Sequence, residues 1–155
     1  MPAEGTEAPD FELMSDTGAT VRLADLRGAP VVLFFYPKDD TPGCTRQARG
    51  IRDAWGDFQR AGATVLGISI LDEASKARFK EKHSLPFTLL ADPDHAVAEA
   101  YGVWAEKRNY GKTYMGIERS TFVIDADGTI AKVLRKVNPD THADEVLAVL
   151  TGESR

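Results

Sequence analysis

The sequence contains a single cysteine among its 155 residues, so the chain cannot form an internal disulfide. This excludes the disulfide framework of small secreted proteins, and nothing in the composition requires an oxidising compartment. The longest apolar run is far shorter than the ~20 residues that span a bilayer, and residues 1–7 are too acidic and polar for a signal peptide. We therefore expect a soluble, cytoplasmic protein with no membrane contact.

Cationic, metal-binding and phosphate-binding patterns are also missing. The formal net charge is −5, whereas nucleic-acid binding requires a basic face. The three histidines are scattered, without the clustered spacing of metal ligands, and no glycine-rich phosphate loop is present. We expect no cofactor, no metal and no nucleic-acid partner.

What the sequence does contain is a regular succession of strand and helix patterns. A chain of 155 residues with 43% hydrophobic content can bury its own core, and we expect one domain over residues 1–155. Apolar alternation over residues 11–23 predicts an N-terminal β-hairpin. Apolar runs predict further strands at residues 31–35, 64–70, 88–91, 120–124 and 129–134. Because helical patterns separate most of these strands, we expect an α/β fold with a central mixed β-sheet flanked by helices.

The helices are predicted from apolar spacing and from capping residues. After Cys44, apolar residues recur at helical intervals as far as Gly62, which favours one continuous helix. Asp72 can cap a helix over residues 73–83, and Thr141 can cap a last helix.

Three polar stretches have simpler interpretations. Residues 104–116 are punctuated by glycine and indicate a connection, whose Trp104 and Tyr110 either line an entrance to a site or pack elsewhere. The charged stretch 76–82 is typical of a solvent-exposed helix face. Asp39 and Asp40 are most simply interpreted as a solvated loop tip.

The only cysteine stands between an apolar strand and a helix. Thr41 suits the N-cap and Pro42 the first helical position, so Cys44 falls in the first turn. Unpaired amides of that turn favour negative charge and would support the thiolate form of the sulfur. A lone cysteine is also often only a small buried hydrophobe. For fast chemistry Cys44 needs partner groups, and the candidates are the amides near Gly43, the Thr41 hydroxyl and an arginine from elsewhere.

Residues 36–47 resemble the active-site loop of the peroxiredoxins, most closely that of the bacterioferritin comigratory protein subfamily, also called Bcp or PrxQ. Residues 116–125 resemble the segment that carries the family's active-site arginine, here Arg119. The likeness covers nearly the whole chain and rests on two motifs that lie far apart in sequence. The P-x-x-x-T-P-x-C pattern of the family falls on Pro37, Thr41, Pro42 and Cys44.

This resemblance implies a thioredoxin-like fold and a thiol-dependent peroxidase that reduces hydrogen peroxide and organic hydroperoxides. Cys44 would be the peroxidatic thiolate, which becomes a sulfenic acid. Thr41 would position the peroxide, and Arg119 would favour the thiolate and polarise the O–O bond. Pro42 would shield the sulfur from water, and Gln47 would orient Arg119. The residues with supporting roles are Pro37, Pro42, Gly43 and Gln47.

The sequence departs from many members of this subfamily at Arg49, where they carry a resolving cysteine. The resemblance therefore implies a one-cysteine mechanism, in which oxidised Cys44 reacts with a thiol from another molecule. Thioredoxin, glutaredoxin, a low-molecular-weight thiol and a second copy of the chain are all open as that partner, and we expect a monomer or a weak dimer. The alternative is a non-catalytic thioredoxin-like module that serves as a peroxide sensor or an interaction domain.

Overall fold

The computed structural model describes residues 2–152, which form nine β-strands and five α-helices. In chain order these elements are β1 Glu12–Ser15, β2 Thr20–Arg22, β3 Val31–Phe35, α1 Pro42–Asp53, α2 Trp55–Arg60, β4 Thr64–Ser69, α3 Glu73–His83, β5 Thr88–Ala91, α4 Ala96–Ala100, β6 Trp104–Asn109, β7 Lys112–Ile117, β8 Ser120–Ile124, β9 Ile130–Leu134 and α5 His142–Leu150. A short 3₁₀ helix, Leu23–Leu26, follows β2.

Seven strands form one mixed sheet in the order β2-β1-β5-β4-β3-β8-β9. β3 is parallel to β4, and β4 is parallel to β5, whereas the other neighbouring pairs are antiparallel. β1 and β2 form the predicted N-terminal hairpin, with Leu13 opposite Val21. The expected α/β class, with a central mixed sheet, is confirmed.

β3 is an interior strand of this sheet, between β4 and β8, and its side chains are buried on both faces. Leu33 and Phe35 pack into the core on one side, and Phe34 packs into the core on the other. The packing against β4 is close, since a Cβ atom on Gly67 would lie only 2.6 Å from Cζ of Phe34. Glycine is therefore required at this position of β4.

The register between β3 and β8 brings two distant parts of the chain together. Phe35, the last residue of β3, lies opposite Ser120, the first residue of β8. Because the strands are antiparallel, the loop that leaves β3 and the segment that enters β8 meet at the same end of the sheet. This end of the sheet consequently brings together residues 36–41 and Arg119, which lie far apart in the sequence.

Helices α1, α2, α3 and α5 cover the face of the sheet that contains Phe34. The prediction of one continuous helix up to Gly62 was wrong, because the chain leaves helical geometry at Ala54, where φ is −100° and ψ is 14°. The break lets Trp55 turn onto Phe58 and Phe87, and the apolar spacing is helical on both sides of it. None of the helices in residues 2–152 is long and apolar enough to cross a membrane.

The capping predictions for Asp72 and Thr141 have different outcomes. Asp72 caps α3 as expected, since its Oδ1 accepts from the amide of Ser75 at 2.9 Å. Thr141 occupies the N-cap position of α5 without capping it, and its hydroxyl donates to Oε1 of Glu145 at 2.7 Å instead.

Residues 104–116, interpreted from sequence as a connection, form most of a second, two-stranded sheet. β6 and β7 pair in antiparallel fashion, with Lys107 opposite Tyr114. Trp104 stacks on His95 with ring centroids 4.1 Å apart, so it packs within the fold, whereas Tyr110 at the turn is exposed. This hairpin leads directly into the segment that carries Arg119.

Candidate active site

Cys44 is the third residue of α1 and is only 2% exposed. Thr41 is the N-cap residue and Pro42 the first helical residue, as the sequence predicted. The amide of Thr45 donates to the carbonyl of Thr41 at 2.8 Å and closes the first turn. In any α-helix the amides before that point lack intrahelical partners, so the first turn around Cys44 favours negative charge.

The Thr41 hydroxyl does not cap the helix. It donates to the carbonyl of Lys38 at 2.9 Å, which folds the loop before α1 into a tight turn. Its oxygen can still accept hydrogen bonds. Pro37 is half-buried at the start of this loop, while Pro42 is exposed at its end.

Arg119 reaches the same turn from the start of β8. Its Nη1 donates to Oε1 of Gln47 at 2.5 Å, and Gln47 is fully buried on α1. Its Nη2 lies 3.1 Å from the position that a Cβ atom would take on Gly43, the residue before Cys44. The structure thus brings Gly43, Gln47 and Arg119 together around the turn that holds the cysteine.

Lys107 is a second cation near this turn, and the sequence reasoning missed it. Burial and the nearby Arg119 lower the pKa of Lys107, while Cys44 and Glu118 oppose that shift. The aliphatic part of its side chain passes over Gly116, where a Cβ atom would lie 3.4 Å from Cδ of Lys107. No motif marked this lysine, because it lies on a hairpin that the polar segment 104–116 did not reveal.

His142 lies beneath the site and is fully buried. Its Nε2 and the hydroxyl of Thr121 are 2.6 Å apart. Burial and the nearby Arg119 lower the pKa of His142 to about 3, so this side chain is neutral at physiological pH. Among residues 2–152, no group of three or more His, Cys, Asp or Glu side chains is placed to hold a metal ion.

The interpretation of Asp39 as part of a solvated loop tip was wrong. Asp39 is only 8% exposed, and its carboxylate forms an ion pair with Lys76 at 2.9 Å. Lys76 was expected on a solvent-exposed helix face, yet it is fully buried. Asp40 is exposed, as expected. The two errors have one physical cause, because each buried charge is neutralised by the other.

Residues 5–133 match the family model described as the AhpC/TSA family. The chain belongs to the AhpC/TSA family. A putative peroxiredoxin Bcp from Coxiella burnetii is 51% identical over 146 residues, which cover 94% of this chain and 97% of the relative. The peroxiredoxin Bcp of Bacillus subtilis is 50% identical over 146 residues, covering 94% of this chain and 93% of the relative.

Solved structures place this AhpC/TSA protein in the same subfamily. The bacterioferritin comigratory protein of Xanthomonas campestris superimposes with a TM-score of 0.90 at 36% identity, covering 99% of this chain and all of the other. A cysteine-to-serine mutant of PrxQ from Xylella fastidiosa gives a TM-score of 0.93 at 32% identity, covering 99% and 98%. The protein is therefore a Bcp/PrxQ-type peroxiredoxin, a thiol-dependent peroxidase with a thioredoxin-like fold, and it lacks the resolving cysteine.

Proposed function

We propose that this AhpC/TSA protein reduces hydrogen peroxide and organic hydroperoxides with Cys44 as its only redox centre, in a cycle that an external thiol completes. The observation that carries the proposal is the position of Cys44 in the first turn of α1, beside an arginine held by Gln47. Organic hydroperoxides are included because the Xanthomonas relative was studied for alkyl peroxide reduction.

In the first step the Cys44 thiolate attacks one oxygen of the peroxide. An S–O bond forms while the O–O bond breaks, so the sulfur is oxidised to a sulfenic acid and the departing oxygen leaves, after protonation, as water or an alcohol. Negative charge develops on that departing oxygen. Arg119 and the free amides of the first turn stabilise this charge, and the Thr41 hydroxyl orients the peroxide.

In the second step the sulfenic acid must meet a thiol from another molecule, because the chain has no second cysteine. The incoming thiol forms a mixed disulfide with Cys44 and releases water, and a second thiol then restores the Cys44 thiol as a disulfide of the reductant leaves. Arg49, at the position of the missing resolving cysteine, is exposed on α1. Such a cycle requires a reducing thiol pool, so we infer a cytoplasmic location, and we retain a monomer or weak dimer as the working state.

The first test is the Cys44→Ser variant, assayed for peroxide consumption with an added thiol reductant. We expect thiol-dependent consumption to disappear, since serine cannot be oxidised by peroxide in this way. Consumption at the parent rate in Cys44→Ser would rule out the proposed mechanism. Circular dichroism of the variant verifies that the fold is intact.

A second measurement identifies the reductant class. The reduced protein receives one equivalent of peroxide, and its intact mass is followed alone and with glutathione, thioredoxin or glutaredoxin. We expect the mass of one added oxygen atom without a thiol, and recovery of the reduced mass with the working reductant. Rapid oxidation that none of these thiols reverses would favour a peroxide sensor over an enzyme.

A further inference from the structure

Both aspartates of the loop that precedes α1 are bound to helix α3. Asp39 contacts the first turn of α3 through Ser75 and Lys76. Asp40 contacts the last turn, where Oδ2 accepts from Nζ of Lys82 at 2.6 Å and Oδ1 lies 2.9 Å from Nε2 of His83. The loop that carries Thr41 is therefore fastened to one helix at two points.

The point at Asp39 is the buried one. Its carboxylate accepts from the Tyr36 hydroxyl at 2.5 Å, from the Ser75 hydroxyl at 2.6 Å and from Nζ of Lys76 at 2.9 Å. Nζ of Lys76 also donates to Oγ of Ser69 at 2.5 Å and lies 5.5 Å from the centre of the Tyr36 ring. The charges of Asp39 and Lys76 thus neutralise each other, and most of their hydrogen bonds are made to other groups of the protein and not to solvent.

Such a cluster is not explained by stability alone. Burial lowers the pKa of Lys76, an effect that Asp39 and, more weakly, Asp72 and Cys44 oppose, so the ammonium is held in an unfavourable environment by its partners. Apolar side chains of the same volume often stabilise a protein as well as a buried ion pair does. The ion pair adds geometric specificity, because the Asp39 carboxylate must stay at the point where its hydrogen-bond donors converge.

We propose that Lys76 is a positioning residue for the peroxidatic reaction, because its buried ion pair with Asp39 holds the loop of residues 36–41 in the conformation that presents Thr41 and Cys44 to the peroxide. The proposal rests on the proposed function of Cys44. Without the pair, the loop and the first turn of α1 become mobile. Oxidation of Cys44 slows, since a misplacement of about 1 Å in a reactive site can cost ~10²-fold in rate.

The first variant is Lys76→Met, which keeps the length of the side chain and removes its charge. The matched control is Lys80→Met, one turn further along α3, where Nζ pairs at 3.1 Å with Asp16 in the turn after β1 and not with Asp39 or Asp40. We expect the second-order rate constant for Cys44 oxidation, measured in a single turnover, to fall about 10-fold or more in Lys76→Met. In Lys80→Met it stays within about two-fold of the parent value.

A double variant separates positioning from stability, because Lys76→Met alone leaves the Asp39 charge buried without its cation. Asp39→Asn/Lys76→Met removes both charges, and the asparagine keeps one oxygen that can accept from the Tyr36 hydroxyl while its NH2 group can donate to the Ser75 hydroxyl, which now acts as an acceptor. We expect this protein to fold and still to oxidise slowly. A folded double variant that is oxidised at the parent rate would overturn the proposal.

Hydrogen–deuterium exchange of the reduced protein gives a readout that does not depend on peroxidase activity. We expect the amides of residues 38–41 and 43–45 to exchange about 10-fold faster in the double variant than in the parent, while the amides of β3 do not change. Unchanged exchange in the loop would remove Lys76 from this role and leave the proposed function intact. If the parent protein itself does not react with peroxide, while the double variant still shows the faster exchange, the result contradicts the proposed function and leaves the structural role of Lys76 in the loop intact.

Discussion

Because Gly43 has no side chain, the Arg119 guanidinium can lie close to its backbone. A methyl group on Gly43 would lie 3.1 Å from Nη2 of Arg119, and the guanidinium cannot move freely because Gln47 holds its other nitrogen. We predict that Gly43→Ala slows Cys44 oxidation about 10-fold, which is less than the ~10²-fold loss expected from Arg119→Ala. Stopped-flow oxidation with one equivalent of peroxide measures both rates.

The control for this substitution is Gly50→Ala in the same helix. A Cβ atom on Gly50 would lie 3.8 Å from Cβ of Ala143, an ordinary contact. Gly50→Ala should leave oxidation unchanged and stabilise the protein by about 0.5–1 kcal/mol, since alanine favours a helix interior. Equal oxidation rates for Gly43→Ala and Gly50→Ala would show that Arg119 needs no free space at Gly43.

At the same scale, His142 makes the stability depend on pH. An unfolded histidine has a pKa near 6.5, whereas the pKa of His142 in the folded protein is lowered to about 3. Between these values the unfolded state binds the extra proton, so stability is present above the unfolded pKa and is lost as the pH falls. We predict that protonation of this histidine in the unfolded state lowers the free energy of unfolding by about 2 kcal/mol between pH 7 and pH 5.

Urea unfolding of the His142→Gln variant at both pH values tests this prediction, because glutamine does not titrate and can still reach the Thr121 hydroxyl. The variant should lose less stability than the parent over the same pH interval. Thr121→Val is the control, since it removes the hydrogen bond but keeps the buried imidazole and hence the pH dependence. The same pH dependence in His142→Gln and in the parent would assign the effect to other groups.

At the scale of elements, α3 supplies the donors that bind the loop before α1, so the start of this helix matters. Asp72 accepts from the amide of Ser75, whose side chain in turn donates to Asp39. We predict that Asp72→Ala lowers the free energy of unfolding by ~1 kcal/mol, the usual effect of losing an N-cap, and that Asp72→Asn retains most of it. Urea denaturation of the three proteins measures this difference, and equal values for Asp72→Ala and the parent would show that the cap is not needed.

Most elements could be predicted from sequence because their local pattern agrees with their final environment. β3 is continuously apolar and is buried on both faces, and Asp72 has the chemistry of a cap and acts as one. The hairpin of β6 and β7 could not be predicted, because β6 is polar from Glu106 onward and β7 is mostly exposed, so neither strand has the apolar alternation of a half-buried sheet. The break at Ala54 was hidden because the apolar positions on both sides of it follow the same helical spacing.

The candidate site shows a similar division. The loop motif and the segment around Arg119 could be identified as patterns, and the register of β3 against β8 explains how they meet. Asp39 and Lys76 could not, because a charged residue is buried only when its partner is buried with it, and 37 positions separate the two. Pairing of this kind depends on the tertiary structure, which local patterns do not describe.

At the scale of the whole molecule, the fold holds the only thiol in the first turn of a helix, and this decides what an introduced second cysteine would do. Cα atoms five residues apart in an α-helix are separated by roughly 8–9 Å, whereas a disulfide needs about 4.4–6.8 Å. A cysteine in place of Arg49 could therefore reach Cys44 only if the beginning of α1 unwinds.

We predict that the Arg49→Cys variant, after one equivalent of peroxide, forms an internal disulfide and loses helical signal in the far-ultraviolet circular dichroism spectrum. Intact mass should show the loss of two hydrogen atoms instead of the gain of one oxygen. Arg52→Cys is the control, because position 52 is about 12 Å from position 44 along the helix axis. In this variant Cys44 should remain a sulfenic acid. A disulfide in Arg49→Cys without loss of helical signal would mean that α1 is already distorted at its start. The absence of any disulfide would mean that unwinding the start of α1 costs more free energy than disulfide formation releases.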